Sequence, residues 1–289
     1  MLTWWGFILK ISACEDIVKN AVLHCQIREK ELNKIVYNSL LLLLTFLLWG
    51  CSIDKMIFYP PERTNPPRLS GQVMLKVSQE FSIVAQFIRA SEEKCWILYS
   101  HGNATDLYAL QSDFADFTRH GYSVAAYDYE GYGRSEGTPS ENSAYRDISA
   151  VYRYMTSDLH IAPDRIIVYG RSVGSGPACY LAEKHKVGGL VLESPYTTIA
   201  EVVTSLPVPF DKFPNIDRID KIRVPLLIFH GKGDKVIDIS HAERLFKKAT
   251  PPKIIVIIPG AGHNNLKYKA GDIYWSSLNE FIKINLNID

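Results

Sequence analysis

A serine flanked by glycines gives this chain a candidate nucleophile. Ser172 lies at the centre of G-R-S-V-G (170–174), after the apolar run RIIVYG (165–170) and before a stretch with helical spacing. This arrangement is typical of a nucleophile elbow, a sharp strand-to-helix turn that strains the serine backbone and requires small residues on both sides. The N-terminus of the following helix would favour negative charge near the hydroxyl. The alternative is an ordinary turn in which Ser172 caps the helix.

A serine hydroxyl attacks a carbonyl at neutral pH only with the help of a base that a third group holds in place. Asp234 follows the apolar run VPLLIFHG and His263 follows KIIVIIPG, which gives the order serine, acid, histidine. We expect His263 to accept the Ser172 proton and Asp234 to orient the imidazole. Asp238 is an alternative acid, but D-I-S-H-A-E-R is a good helix start and predicts that Asp238 caps a helix.

Acyl transfer also needs hydrogen-bond donors for the carbonyl oxygen as it becomes an oxyanion, each worth about 3–4 kcal/mol. The backbone N–H of Val173, directly after the serine, is the first candidate. The second is the backbone N–H of Asn103 in the loop SHGNATD (100–106), where Gly102 would let the backbone approach closely. The loop also fits an ordinary strand–helix connection with a capping residue, and both interpretations can hold together.

A proline-rich segment at 194–220 is too short for a full cap domain and predicts a short lid. We expect its apolar residues to line an open groove above Ser172, although plain core packing is as good an interpretation of each one. The candidate groove residues are Tyr196, Leu206, Val208, Phe210 and Phe213. Arg171, beside the nucleophile, is expected to contact the substrate or the solvent.

The elements that would position these residues alternate along the chain. Apolar, β-branched runs predict strands at 72–77, 81–88, 95–100, 123–129, 165–170, 188–194, 224–231 and 253–260. Helical spacing falls at 106–119, 141–157, 173–185, 240–249 and 272–285. The short link between the first two strands indicates an antiparallel start, and the later, continuously apolar strands indicate a parallel sheet covered on both faces. The prediction is one α/β domain with about eight strands, whose ligands lie at the carboxyl ends of the parallel strands.

The first 56 residues differ from this pattern and are assigned to a membrane-targeting region, with the α/β domain at 57–289. Residues 40–51 read LLLLLTFLLWGC, which is shorter than the roughly 20 apolar residues that a spanning helix needs. Cys51 after Gly50 resembles a bacterial lipobox, which predicts a lipidated cysteine. A short signal anchor that includes residues 35–37, or a helix packed on the domain, are the alternatives. Either a lipidated Cys51 or a signal anchor would make the protein membrane-associated.

Composition excludes several classes of protein. Lysine and arginine total 32 and aspartate and glutamate 31 in 289 residues, so nothing favours a nucleic-acid partner. The five cysteines are odd in number and lack metal-ligand spacing, which argues against a disulfide framework or a structural zinc site. We therefore expect no metal and no cofactor.

The motifs SHGNA, DYEGYGRSEG, YGRSVGSGP, PLLIFHGKGDKVID and PGAGHN together resemble the α/β-hydrolase superfamily over residues 57–287. Within it, SHGNATDL, FDKFPNIDRIDKI and HGKGDKVIDISH are similar to the α/β-hydrolase domain-containing 17 type. The resemblance implies an α/β-hydrolase fold and the triad Ser172, Asp234 and His263. It also implies a membrane-associated serine hydrolase that removes palmitate from protein cysteines. A serine aminopeptidase-like peptidase and a non-catalytic binding scaffold on the same fold are the alternatives.

Overall fold

The computed structural model describes residues 34, 37, 39, 54, 57–62, 66–204 and 211–286. The chain divides into two compact units, Met1–Ile53 and Asp54–Asp289, and the structure below is that of the second. The predicted leucine-rich segment at 40–51, with Cys51, lies outside the described residues. Within the described part of the chain, no helix is both long and apolar enough to span a bilayer.

One mixed sheet of eight strands forms the centre of the described domain. Its strands are β1 (Gln72–Lys76), β2 (Ser82–Ile88), β3 (Cys95–Ser100), β4 (Tyr122–Tyr127), β5 (Ile166–Arg171), β6 (Gly189–Glu193), β7 (Leu226–Gly231) and β8 (Lys253–Ile258). They lie in the order β1-β2-β4-β3-β5-β6-β7-β8. The pairs β1–β2 and β2–β4 are antiparallel, and all later pairs are parallel. The predicted strand number and the antiparallel start are confirmed.

Helices flank the sheet, as the helical spacing predicts. The described helices are α1 (Gln111–Arg119), α2 (Glu141–Arg153), α3 (Ser175–Lys184), α4 (Ile199–Val203), α5 (Asn215–Arg218), α6 (Ile239–Lys248), α7 (Leu266–Ala270) and α8 (Asp272–Leu286). A five-residue π-helical turn, Tyr154–Asp158, extends α2. The short helices α4, α5 and α7 lie in connections for which the sequence predicted no helix.

Burial of the sheet follows the strand sequences. Every residue of β3, β4, β6 and β7 is buried, because these continuously apolar strands are covered by helices on both faces. At the edge of the sheet β1 is mostly part-exposed or exposed. One face of the sheet packs on α1 and α8 through a buried cluster rich in aromatic rings, including Phe114, Phe117, Tyr169, Tyr274 and Phe281. This core holds the strands in a fixed position, so the loops at their ends start from rigid elements.

Strand register brings the loops of the candidate site together in two pairs. Ser100 at the end of β3 pairs with Gly170 in β5, so the segment after residue 100 lies beside the turn that carries Ser172. On the other side, Gly231 at the end of β7 pairs with Ile258 at the end of β8. The segments that carry Asp234 and His263 therefore also begin side by side, at the same carboxyl edge of the sheet.

Candidate active site

Ser172 lies at the turn between β5 and α3. It begins a 3₁₀ turn, Ser172–Gly174, and has a φ of 52°, a left-handed conformation that is uncommon for a residue with a side chain. A Cβ atom on Gly170 would lie 2.7 Å from Ala178 Cβ and 2.7 Å from Ser175 Cα. A small residue two positions before the serine is therefore required by the close packing of β5 against the start of α3. This is the geometry of a nucleophile elbow.

His263 lies between Ser172 and Asp234, within hydrogen-bond distance of both side chains. His263 Nε2 is 3.0 Å from Ser172 Oγ, and His263 Nδ1 is 2.8 Å from Asp234 Oδ2. A carboxylate only accepts, so Nδ1 carries the hydrogen and Nε2 is left to accept from the serine hydroxyl. The structure thus brings together all three residues that the sequence selected. His263 is 91 residues and Asp234 is 62 residues from Ser172 along the chain.

The environment of Asp234 keeps it ionised. Burial alone would raise its pKa, but hydrogen bonds outweigh burial and lower the pKa to about 2. They come from His263 and from the backbone N–H groups of Ile237 and Val236, which lie 3.0 and 2.9 Å from Oδ1. Asp234 can therefore hold the imidazole orientation and stabilise an imidazolium across the ordinary pH range.

Asp238, the alternative acid, has a different role. Its side chain accepts a hydrogen bond from the Ser240 backbone N–H at 2.9 Å, and it is the N-cap of α6. The predicted capping role is confirmed. The two acids of this loop thus differ because one faces the histidine and the other faces a helix terminus.

A second histidine lies behind the acid. His230 is fully buried, its Nε2 is 2.9 Å from the Ile237 carbonyl oxygen and 3.7 Å from Asp234 Oδ2, and burial lowers its pKa. It is therefore neutral and supports the loop rather than contacting the serine. In the part of the chain that the structure describes, no group of three or more His, Cys, Asp or Glu side chains is arranged to hold a metal ion.

The candidate oxyanion loop lines a pocket above Ser172. Asn103 and Val173 line it together with Ser172 and His263. Val173 lies in the 3₁₀ turn directly before α3, at the start of a helical segment, where backbone N–H groups have no intrahelical acceptor. The loop before Asn103 is fixed by the buried His101, whose Nδ1 is 2.7 Å from the Gly102 carbonyl oxygen. Burial lowers the pKa of His101 to about 4, so the neutral ring donates this bond.

The pocket above Ser172 has a volume of about 390 Å³, within the range typical of small-molecule sites. Its walls are mostly apolar and come from the segment before β1, the connection after β6, α4 and the loop after Asp234: Ile57, Tyr59, Tyr196, Ile199, Val202, Val203, Val236 and Ile237. Exposed Tyr59, Val203 and Val236 belong to this lining.

The predicted groove residues have different positions. Tyr196 is buried and lines the pocket. Phe213 is fully buried and lies behind the pocket, where its ring packs on Phe58 at 5.9 Å and on Tyr145 at 5.5 Å; its expected place in the groove wall is wrong. The cause is Gly176, whose missing side chain leaves the space that the Phe213 ring fills. Leu206, Val208 and Phe210 lie outside the described residues.

Arg171 belongs to a polar network that the sequence did not reveal. Its Nε lies 3.1 Å from Glu193 Oε1, and its Nη2 donates to Asn264 Oδ1 at 3.3 Å. Glu193 also accepts a hydrogen bond from the Tyr169 hydroxyl. The residue before the nucleophile is therefore linked to the residue after His263. The only available signal was the glutamate at the end of the apolar strand VLE, where a buried charge requires a partner.

The sequence of this chain is similar to a protein family model and to named proteins from other organisms. A family model described as serine aminopeptidase, S33, matches residues 91–214. The chain is 37% identical over 218 residues to the human α/β hydrolase domain-containing protein 17B, covering 74% of this chain and 75% of that protein. It is 39% identical over 199 residues to the Xenopus tropicalis protein 17B, covering 67% and 69%. The chain belongs to the α/β-hydrolase domain-containing 17 family. It is therefore an α/β hydrolase.

Solved structures show the same fold at greater distance. An esterase from Pyrococcus furiosus superposes with a TM-score of 0.67 at 17% identity, over 79% of this chain and all of that one. The α/β hydrolase GrgF from a Penicillium species gives a TM-score of 0.65 at 13% identity, over 77% and 100%. At these identities the likeness concerns the fold, and it confirms the predicted α/β-hydrolase architecture for this member of the domain-containing 17 family.

Proposed function

We propose that this α/β hydrolase is a serine hydrolase that cleaves acyl esters or thioesters through an acyl-enzyme. The observation that carries the proposal is the continuous contact from Ser172 Oγ through His263 to Asp234, at 3.0 and 2.8 Å. These distances are those at which a base can take the serine proton while a carboxylate holds the base.

In the first half of the reaction, His263 Nε2 takes the proton from Ser172 Oγ as the oxygen attacks the substrate carbonyl carbon. The carbonyl oxygen becomes an oxyanion, which the backbone N–H groups of Val173 and Asn103 stabilise. The carbon–oxygen or carbon–sulfur bond then breaks, and His263 returns the proton to the departing alcohol or thiol. Asp234 stays ionised throughout and stabilises the imidazolium.

In the second half, water replaces the leaving group. His263 takes a proton from the water as its oxygen attacks the acyl-serine carbonyl, and the same two N–H groups receive the second oxyanion. Collapse of this intermediate releases the carboxylic acid and restores the Ser172 hydroxyl.

The pocket supports an acyl group as the bound part of the substrate. Its lining is mostly apolar, with Tyr196 and Ile237 buried in the wall and Val203 and Val236 exposed. Such a surface gains free energy by removing a hydrocarbon chain from water. The finer proposal, by analogy with the family, is that the substrate is a palmitoyl thioester on a protein cysteine.

Peptidase activity is the second candidate, because the family model that matches residues 91–214 is described as a serine aminopeptidase. An aminopeptidase needs a group that binds the substrate's cationic amino terminus. The described residues that line the pocket include no aspartate or glutamate, and Arg171 among them is a cation. Because Arg171 is paired with Glu193, these residues offer neither an anion nor a free charge for an amino terminus, which favours the acyl ester or thioester over an aminoacyl substrate.

A labelling and turnover experiment tests the proposal. A fluorophosphonate probe should label Ser172 in the wild type and fail to label Ser172→Ala, with the adduct located by peptide mass spectrometry. Steady-state turnover of p-nitrophenyl acetate, p-nitrophenyl octanoate and an S-palmitoyl cysteine peptide should then exceed turnover of leucine p-nitroanilide. Folded wild-type protein that takes no label, or that prefers the anilide, would overturn the proposal.

We also propose that the N-terminal region attaches the enzyme to a membrane, through lipidated Cys51 or through a short signal anchor that includes residues 35–37 and the leucine-rich segment 40–51. The support is compositional: the charge-free leucine run ends in Gly-Cys. Mass spectrometry of the N-terminus of the mature protein separates the two. A diacylglyceryl cysteine at position 51 supports lipidation, an intact upstream sequence in the membrane fraction supports the anchor, and a protein that stays in the supernatant contradicts both.

A further inference from the structure

The side chain of Asn103 connects the oxyanion loop to a distant segment of the chain. Its Oδ1 accepts hydrogen bonds from the Tyr59 backbone N–H at 2.8 Å and from the Tyr132 hydroxyl at 2.6 Å. Its Nδ2 donates to the Ile57 carbonyl oxygen. The next residue, Ala104, donates its backbone N–H to the Tyr59 carbonyl oxygen at 3.1 Å. One carboxamide therefore joins the loop after β3 to the segment 57–59, 44 residues earlier in the sequence.

The segment 57–59 is itself held in place. Phe58 is buried, and its ring packs edge-on against Tyr129 and Tyr132, each at 6.3 Å. Its backbone N–H donates to the Asp54 carbonyl oxygen at 3.0 Å, and the Asp54 carboxylate lies 3.5 Å from Lys212 Nζ. The buried Phe58 ring and the ion pair of Asp54 with Lys212 thus hold this segment independently of its contacts with the loop. The segment can therefore support Asn103.

The support acts on the peptide that carries the candidate oxyanion donor. The Gly102 carbonyl and the Asn103 N–H belong to one planar peptide, and the hydrogen bond from His101 holds its carbonyl end. One hydrogen bond at the carbonyl still lets the plane of the peptide, and with it the N–H, tilt at the Asn103 end. The hydrogen bonds of the Asn103 carboxamide to Tyr59, Tyr132 and Ile57 restrain this end.

We propose that the Asn103 carboxamide and the segment 57–59 form an oxyanion clamp, which positions the Asn103 backbone N–H for the developing oxyanion. The inference rests on the proposed function, because it concerns the same reaction. Asn103 acts here in two ways: its backbone touches the reacting oxygen, and its side chain is a positioning group. An N–H that is already oriented before the reaction stabilises the transition state more than one that must reorient.

The test variant is Asn103→Ala in the full chain, which keeps the backbone N–H and removes the clamp. With p-nitrophenyl octanoate we expect kcat to fall about 10–100-fold, a part of the loss caused by deleting an oxyanion donor outright, with KM changed less than about twofold. The pH profile of kcat/KM should stay unchanged, because His263 and Asp234 are untouched. An alkyl trifluoromethyl ketone gives a second readout, since Ser172 Oγ adds to its carbonyl carbon and leaves an oxyanion. Its inhibition constant should rise by the factor by which kcat/KM falls.

Two further variants keep the test decisive. Gln86→Ala removes another buried carboxamide, one on β2 that donates to the Ser70 carbonyl oxygen and accepts from Gln111 of α1, and should lower thermal stability without changing kcat. Tyr132→Phe keeps the ring and removes only the hydroxyl, with its bonds to Asn103 and to the Tyr59 backbone of the clamp, and should lower kcat about threefold or more even if Asn103→Ala does not fold. Wild-type kcat and ketone affinity in Asn103→Ala, or wild-type kcat in Tyr132→Phe, overturn the clamp alone. Absence of Ser172-dependent turnover in the wild type overturns the proposed function and the clamp together.

Discussion

Gly174 lies directly against the backbone of Ser100, across the junction between β3 and the serine turn. A Cβ atom on Gly174 would overlap the Ser100 carbonyl oxygen and lie 2.8 Å from the carbonyl oxygen of His101. The second glycine of G-R-S-V-G is therefore required by the loop that carries the candidate oxyanion donor. The nucleophile and its oxyanion loop are thus positioned by direct backbone contact.

The variant Gly174→Ala should consequently lower both stability and activity. The added methyl group must push apart two buried backbones, which costs about 1–3 kcal/mol of unfolding free energy. Because the serine moves relative to its partners, kcat should also fall about 100-fold. Urea denaturation and ester turnover measure the two effects.

The control is Gly102→Ala. A Cβ there would meet no atom closer than Ser172 Cβ at 3.6 Å, and Gly102 has no left-handed φ. Its unfolding free energy should stay within about 0.5 kcal/mol of the wild type. Equal stability of Gly174→Ala and Gly102→Ala would contradict the steric interpretation.

Asp234→Asn should abolish most of the turnover. Asparagine can donate to Nδ1 and so favours the tautomer in which Nε2 carries the hydrogen, which prevents His263 from accepting the serine proton. We expect kcat to fall about 10³–10⁴-fold with little change in KM. The matched control is Asp238→Asn, because asparagine caps a helix as well as aspartate does. A similar loss of turnover in both variants would show that the loop as a whole, and not Asp234, is responsible.

The lowered pKa of Asp234 predicts that the free energy of unfolding decreases at acidic pH. The pKa of Asp234 is 3.8 for the unconstrained group and about 2 in the folded protein, so the native state binds this proton less well. The group therefore stabilises the fold above pH 3.8, by about 2 kcal/mol, and the contribution disappears as the pH falls through 2. Urea unfolding of wild type and Asp234→Asn at pH 6 and at pH 2 measures it. The difference between their unfolding free energies should shrink at pH 2, and an unchanged difference would refute the assignment.

The ion pair between Arg171 and Glu193 should show strong thermodynamic coupling. The side chains are 21% and 8% exposed, so Arg171→Met would leave a buried carboxylate without its cation, at a cost of about 2–4 kcal/mol. Glu193→Gln retains an acceptor for Tyr169 and, combined with Arg171→Met, should recover most of that loss. A double-mutant cycle from urea denaturation gives the coupling. Additive effects of the two substitutions would mean that solvent already screens the pair.

Sequence reasoning was most successful where one local pattern determines one local structure. The strands β3 to β8 are apolar runs between glycine or polar residues, and the structure starts and ends them within two residues of the predicted positions. The order of Ser172, Asp234 and His263 after three such strands was enough to select the residues that meet at one edge of the sheet.

It failed where packing between distant segments decides the outcome. Phe213 was expected in the groove because it is apolar and follows prolines, yet the space opposite Gly176 draws it into the core. The contact between Asn103 and the segment 57–59, like that between Arg171 and Glu193, depends on side chains that no local periodicity connects. Such pairings can be identified only from the three-dimensional structure, because they produce no regular spacing in the sequence.

Because of the left-handed backbone at position 172, thermal stability and catalytic turnover favour different residues there. Glycine tolerates that φ without steric cost, so Ser172→Gly would relieve strain while deleting the attacking oxygen. A library selected only for survival at high temperature would therefore accept inactive sequences at this position. Directed evolution of a more robust variant needs a screen for hydrolysis in every round, or mutagenesis that leaves codon 172 unchanged.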